Sequence, residues 1–247
     1  SYASILGEWL GTGFNAIATS WGGGSGTTAV ELIVIDWLKQ LLGLPETHEG
    51  VLLSGGSMAN ITAFSVARNQ KGIGRVYYND QTHSSLQRGL RELGFGEDNL
   101  CQIDSDNLLK MPVDVLRDSI ERDLSNNLQP MMVIATAGTT NTGGVDPLHA
   151  IADLCEQHNL WFHLDGAYGV PSAITKQGHD YLDGFSRADS LVLDPHKWFF
   201  QPYESGCLLV KHQGALQACF DMNPEYLKDV QALNSEVDMR NRSLELT

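Results

Sequence analysis

Six short runs, at residues 51–53, 75–79, 131–136, 160–165, 191–193 and 206–210, are mostly apolar or aromatic, and stretches with helical spacing separate most of them. A run of that length without alternation reads as a strand buried on both faces, and parallel strands need helical crossovers between them. The predicted fold is therefore α/β, a mainly parallel sheet flanked by helices. Sheets of this kind bind ligands just outside the carboxyl ends of their strands. Ser57, His83, Thr140, Asp165 and Lys197 all fall at or just beyond such ends.

Between the strands the reading is less specific. Residues 1–28 suggest a short helix and then a flexible connection through the glycines at 22–24 and 26. A helix starting near Thr27 or Thr28 carries Val30, Ile33, Val34, Trp37, Leu38, Leu41 and Leu42 at helical spacing, is expected to pack into the core, and ends at Gly43 and Pro45. Residues 84–129 read as polar helices and loops without evident chemistry. The domain reading is a linker over 1–28, a large domain over 29–220 and a polar tail over 221–247.

A formal charge of -14, spread without an acidic block, argues against nucleic acid or an anionic membrane as a main partner. The most apolar stretch, residues 29–38, is broken by Glu31 and Asp36, so no segment is expected to span a bilayer. No signal peptide is evident in a chain that starts at Ser1 without Met. The four cysteines show neither zinc spacing nor a disulfide pattern, and reduced thiols in the cytoplasm are the simplest expectation.

The residues at the strand ends suggest chemistry. Lys197 follows a buried run and is flanked by Trp198, Phe199 and Phe200. An ammonium group withdrawn from water gives up its proton more readily, and the free amine can condense with a carbonyl. The bland alternative is a lysine that reaches solvent with its stem on Trp198. The turn Gly55-Gly56-Ser57 between a strand and a helix could cradle a phosphate, although such turns are common. The loop 137–144, rich in glycine and hydroxyls, permits close backbone approach to a ligand or merely a tight connection. Asp165 ends a strand among small residues and needs a cationic or N–H partner unless it only caps a helix. His83 alone would read as a loop or cap histidine.

Taken together these residues describe a pocket for pyridoxal phosphate. Lys197 suits its aldehyde, Asp165 its pyridinium nitrogen, and the turn at Gly56 and Ser57 its phosphate, with His83 free to stack on the ring or move a proton.

The segments Ser54-Gly-Gly-Ser-Met-Ala-Asn60, His83, Ala137-Gly-Thr-Thr140, His163-Leu-Asp-Gly-Ala-Tyr168 and Asp194-Pro-His-Lys-Trp198 resemble, in order, those of the group II pyridoxal-phosphate-dependent decarboxylases. The resemblance implies an aspartate-aminotransferase-like large domain, fold type I, and a cytoplasmic homodimer that converts an L-amino acid to an amine and carbon dioxide. It also implies that Lys197 bonds covalently to the cofactor and that Asp165 pairs with its ring nitrogen. Ala167 would lie beneath the ring and His83 above it, with Gly56, Ser57, Asp194 and His196 around the phosphate and Thr140 nearby. Ile17 and Thr19 would reach into the partner's pocket, the segment 1–28 would contact the partner, and 221–247 would begin a catalytic loop ahead of a small C-terminal domain. Aromatic-substrate members carry phenylalanine where Thr19 aligns. Met239 aligns with a loop tyrosine that donates a proton in decarboxylases, and methionine cannot donate one. Aldehyde-forming members lack that tyrosine, so an aldehyde product is the alternative reading, and a non-catalytic cofactor-binding remnant is a further one.

Overall fold

The computed structural model describes residues 1–17, 21–222 and 239–245. In chain order the elements are α1 (Tyr2–Phe14), α2 (Trp21–Leu42), β1 (Glu49–Leu53), α3 (Gly56–Lys71), β2 (Arg75–Asn79), α4 (Ser84–Glu92), β3 (Leu100–Ile103), α5 (Val113–Ser125), β4 (Pro130–Thr136), α6 (Leu148–His158), β5 (Trp161–Asp165), α7 (Lys176–Tyr181), β6 (Ser190–Leu193), α8 (Pro195–Trp198), β7 (Gly206–Val210) and α9 (Ala215–Phe220). A short 3-10 turn follows at Met239–Asn241.

The seven described strands form one sheet in the order β1-β7-β6-β5-β4-β2-β3. β3, β2, β4, β5 and β6 run parallel, while β7 is antiparallel to both β6 and β1. Two antiparallel steps restore direction, so β1 ends on the same rim as β6. Ser54 and the start of α3 thereby reach the rim where Asp165 and Asp194 emerge. The return from β6 to β7 needs no sheet-covering crossover helix, which is why this pair alone among the later strands can be antiparallel.

The sheet interior is made of side chains such as Phe64, Tyr77, Trp161 and Phe162, all 1% exposed or less. Burying a side chain of that size contributes about 1.5–3 kcal/mol. Along β5 the side chains alternate, so Trp161, His163 and Asp165 share one face. That face meets α3, where the ring of His163 packs edge-on against Phe64 at 5.0 Å. α3 lies close to the sheet because its inner side is built from Ala59, Ala63 and Ala67, all fully buried.

Three expectations change. α2 begins at Trp21 and runs through the glycine cluster, which appears as a break at Gly24 rather than as a connection. Its apolar stripe is wider than the core it meets: Leu38 and Leu42 are buried, whereas Val30, Ile33, Trp37 and Leu41 are each about half exposed. The region 84–129 contains an edge strand, β3, whose short segment Leu100-Cys-Gln-Ile lacks the apolar run of the others.

Candidate active site

The strand ends, the start of α3 and the loop after α8 enclose a cavity of about 550 Å³. Gly56 and Ser57 enter it from the first turn of α3, His83 from the cap of α4, and Thr140 from the loop after β4. Asp165 and Ala167 lie at the end of β5, and Asp194, His196 and Lys197 at the end of β6 and in α8. Ile17 is 65% exposed and lines no part of this cavity. Thr19 lies outside the described residues.

The α3 end has the properties of an anion site. Its N-cap is Gly55, which offers no side-chain cap, so the N–H groups of Gly56, Ser57 and Met58 have no partner among the described residues. Unsatisfied first-turn donors and the helix dipole both favour an anion. Beside them Asp194 is 3% exposed, and its Oδ2 lies 2.9 Å from Lys197 Nζ. Its Oδ1 is buried with no hydrogen bond. His196 accepts from the Ser205 N–H through Nδ1 at 2.9 Å, which leaves Nε2 turned toward Asp194 at 3.7 Å.

The surroundings of Lys197 correct the sequence expectation. Its side chain is 38% exposed and held by a carboxylate, not walled off among apolar rings. Four-residue α8 places Asp194 at its N-cap, and Lys197 reaches back to it three positions later. The aromatic walls are Tyr168 and Tyr203, while Trp198 points outward, 42% exposed, against the Tyr168 ring at 5.6 Å.

Asp165 is buried, and burial is the main influence that pushes its pKa up. The Ala167 N–H, at 3.2 Å, and the charges of Lys197 and His83 act in the opposite direction, while Asp194 adds to the rise. A buried carboxylate so placed favours a cationic partner, which would stabilise its charge. His83 caps α4, accepting from the Ser85 N–H, and lies 2.7 Å from the Ser85 hydroxyl. The loops after β4 and β5 touch at Gly138 and Gly169. A Cβ on Gly169 would stand 2.4 Å from the Ala137 oxygen, and Gly138 has a φ of +92°.

Ser54, Asn60, Thr136, Tyr203 and Glu204 also line the cavity and were not singled out from the sequence. Asn60 follows Gly56 by one helical turn, a spacing that could have found it. Thr136 pairs in register with Asp165 across β4 and β5, and its buried hydroxyl has no partner. Tyr203 and Glu204 come from an irregular loop that carries no sequence signal. Met239 is 4% exposed, packs against α9 and does not line the cavity.

Residues 1–247 match the family described as the pyridoxal-dependent decarboxylase conserved domain. The chain belongs to that family. Among pyridoxal-dependent decarboxylase relatives, an aromatic-L-amino-acid decarboxylase of Bacillus atrophaeus is 43% identical over 253 residues, covering 100% of this chain and 53% of the relative. A phenylacetaldehyde synthase of Arabidopsis thaliana is 34% identical, over 93% of this chain and 50% of its own. The crystal structure of Oryza sativa TDC with PLP and tryptamine superposes with a TM-score of 0.94 at 29% identity, covering 100% of this chain and 55% of that one. That of Catharanthus roseus tryptophan decarboxylase with L-tryptophan gives 0.90 at 30% identity, over 100% and 54% of the two chains. The chain thus spans about half the length of the curated relatives it matches. The fold is that of the pyridoxal-phosphate enzymes of fold type I, and pyridoxal phosphate is the family's cofactor. Among the described residues no helix is long and apolar enough to cross a membrane, and no cluster of side chains suits a metal ion.

Proposed function

We propose that the protein holds pyridoxal phosphate in this cavity and decarboxylates an L-amino acid with an aromatic or similarly bulky side chain, giving the amine and carbon dioxide. The observation that carries this reading is one cavity holding a lysine amine, a buried carboxylate and an uncapped helix N-terminus. These groups fit the cofactor's three chemical parts. Gly56 and Ser57 would bind the phosphate, Asp165 the ring nitrogen and Lys197 the aldehyde carbon, with Ala167 and His83 on the two ring faces and Thr140, Asp194 and His196 around the rim. When bound, the cofactor supplies an aldehyde that condenses with amines and a protonated ring that withdraws electrons from the substrate α-carbon.

The chain's own residues do the rest. Asp194 holds the Lys197 ammonium at 2.9 Å, aimed into the cavity. When not bonded to the cofactor, that same Nζ would carry protons to and from the substrate. Asp165 is costly to ionise where it lies, so it gains most from a protonated ring nitrogen beside it. His83, fixed by its capping role, lines the cavity, where it would bind a carboxylate or pass a proton.

Substrate class, assembly and location rest on further support. Relatives are named for decarboxylation of aromatic amino acids, tyrosine, DOPA and tryptophan. A homodimer is supported by α1, which has no buried residue and exposes Ile5, Leu6, Trp9 and Leu10, and by the exposed half of the α2 stripe. In that dimer Ile17 and Thr19 would reach the partner's cavity. The cavity is lined wholly from residues 54–204, within the proposed large domain 29–220, with 1–28 as linker and 221–247 as the start of the loop. Four unpaired cysteines suit the cytoplasm.

An aldehyde product is the second reading. It is favoured by the Arabidopsis relative and by the Rhodiola rosea 4-hydroxyphenylacetaldehyde synthase structure, which superposes with a TM-score of 0.90. The test is to load the whole protein with pyridoxal phosphate and assay a panel of L-amino acids for carbon dioxide, amine, aldehyde and hydrogen peroxide. Amine with carbon dioxide and no peroxide is the expected result. Aldehyde and peroxide in step with carbon dioxide would select the second reading, and a loaded protein inert to every amino acid would overturn both.

A further inference from the structure

Asn60 stands on α3 one turn past Gly56, 3% exposed and lining the cavity. It ends a chain of buried hydrogen bonds that begins far from the site. Trp161 Nε1 donates to Ser190 Oγ at 2.8 Å, Ser190 Oγ lies 2.8 Å from His163 Nδ1, and His163 Nε2 lies 2.8 Å from Asn60 Oδ1. Neither Ser190 nor His163 lines the cavity.

One arrangement of protons gives Trp161, Ser190 and His163 each an acceptor for its proton. An indole N–H only donates, so Ser190 Oγ accepts from Trp161. The hydroxyl's single proton then has one acceptor among the described residues, His163 Nδ1. Complete burial pushes the His163 pKa down to about 3 and keeps the ring neutral. A neutral ring that accepts at Nδ1 carries its proton on Nε2. Asn60 must answer that donor with Oδ1, and its Nδ2 amine has no partner among the described residues. With the oxygen taken, the amine is the group left for the cavity.

We propose that Asn60 is a fixed hydrogen-bond donor to an anionic oxygen of bound pyridoxal phosphate, and that Ser190 and His163 are positioning residues that hold its amide in that orientation. The inference rests on the reading that the cavity holds this cofactor. Without Ser190 the ring can adopt either tautomer and the amide can turn, presenting an oxygen to an anion. The order of protons thus decides whether position 60 attracts the cofactor or repels it.

The test is a double-mutant cycle read by titrating the whole apoprotein with pyridoxal phosphate and following absorbance. Asn60→Ala is expected to raise Kd about tenfold, the effect of one lost hydrogen bond to a charged group. Ser190→Ala is expected to raise it as well, but to have no further effect once Asn60 is gone. Melting temperatures of the apo variants report structural damage separately from the loss of affinity. Asn60→Asp keeps the acceptor for His163 and loses the amine, so it should also bind at least about tenfold more weakly; it serves if the alanine variant does not fold. Wild-type affinity in both Asn60 variants, or an equal Ser190→Ala effect with and without Asn60, overturns the proposal. If wild type fails to bind the cofactor, or Lys197→Ala leaves the titration unchanged, the cofactor reading itself fails and this inference falls with it.

Discussion

The carboxylate of Asp194 occupies the space that a side chain at Gly56 would need: a Cβ there would stand 2.8 Å from each carboxylate oxygen. The first turn of α3 can approach the end of β6 this closely only because residue 56 has no side chain. The contact sets the open N–H groups of α3 beside the ion pair of Asp194 and Lys197.

Gly56→Ala should therefore separate folding from function. Alanine is favoured over glycine within a helix by about 1 kcal/mol, and Gly56 lies in the helical turn without a positive φ. Its methyl group would displace Asp194 and loosen Lys197. We expect the apoprotein to melt within a few degrees of wild type, while affinity for pyridoxal phosphate falls by about tenfold or more. Unchanged affinity would show that the contact does not shape the site.

Asp165→Asn should do the reverse to stability. Burial raises the Asp165 pKa, so the folded state binds that proton more tightly than the unfolded chain does. Stability then declines as pH rises through the ordinary carboxylate range to the raised value, and above it the charge remains a standing cost. Removing the charge at neutral pH should raise the melting temperature of the apoprotein, on the order of 3 °C for each kcal/mol relieved. Turnover of the loaded enzyme should fall by about a hundredfold or more. A lower melting temperature would mean that the carboxylate holds a structural partner.

The pH dependence of stability tests His163 separately. Its pKa is lowered to about 3 by burial, so between its ordinary value and that one the unfolded chain takes a proton that the folded state refuses. Stability contributed by this ring is full above the ordinary histidine range and is lost as pH falls toward about 3. Unfolding free energies of the apoprotein, from urea titrations across the mildly acidic range, should slope less steeply in His163→Gln, by up to about 1.4 kcal/mol per pH unit. Identical slopes would place the proton uptake elsewhere.

Much of this arrangement is legible in the chain itself. Buried strands announce themselves as apolar runs, and a residue just past such a run must lie on the rim; that is how His83, Asp165 and Lys197 can be placed together. What the pattern leaves out depends on contacts distant in sequence. Asn60 and His163 meet across 103 residues, and nothing local marks the pair. The ion pair of Lys197 arises inside the four-residue α8, too short for any periodicity to predict. β3 lies at the sheet edge, where Cys101 and Gln102 need not be apolar. The α2 stripe reads as core because spacing reveals an apolar face but not what covers it.

That uncovered stripe makes its own prediction. If α1 and the outer side of α2 meet a second copy, Trp9→Glu combined with Trp37→Glu should turn a dimer into a monomer on size-exclusion chromatography with light scattering. Each indole is more than half exposed, at 69% and 59%, so the isolated fold should lose little. A dimer that survives both changes uses another surface.

A buried charge remote from the cavity provides the contrast to these site variants. At the amino end of β2, Asp123 accepts from Arg75 Nε at 2.8 Å and from the Tyr77 hydroxyl at 2.6 Å, with its own side chain 6% exposed. The phenol is pushed far up in pKa, first by burial and then by this carboxylate, so it stays a donor at every accessible pH. Asp123→Ala would leave a largely buried guanidinium and a buried phenol without their acceptor. Breaking such a pair costs about 3–5 kcal/mol, which at this chain length lowers the melting temperature by about 10 °C. Because the cluster sits at the opposite end of the strands from Lys197, the fraction that stays folded should bind pyridoxal phosphate with wild-type affinity. A shift in that affinity would reveal that strain at the base of β2 reaches the rim through the sheet.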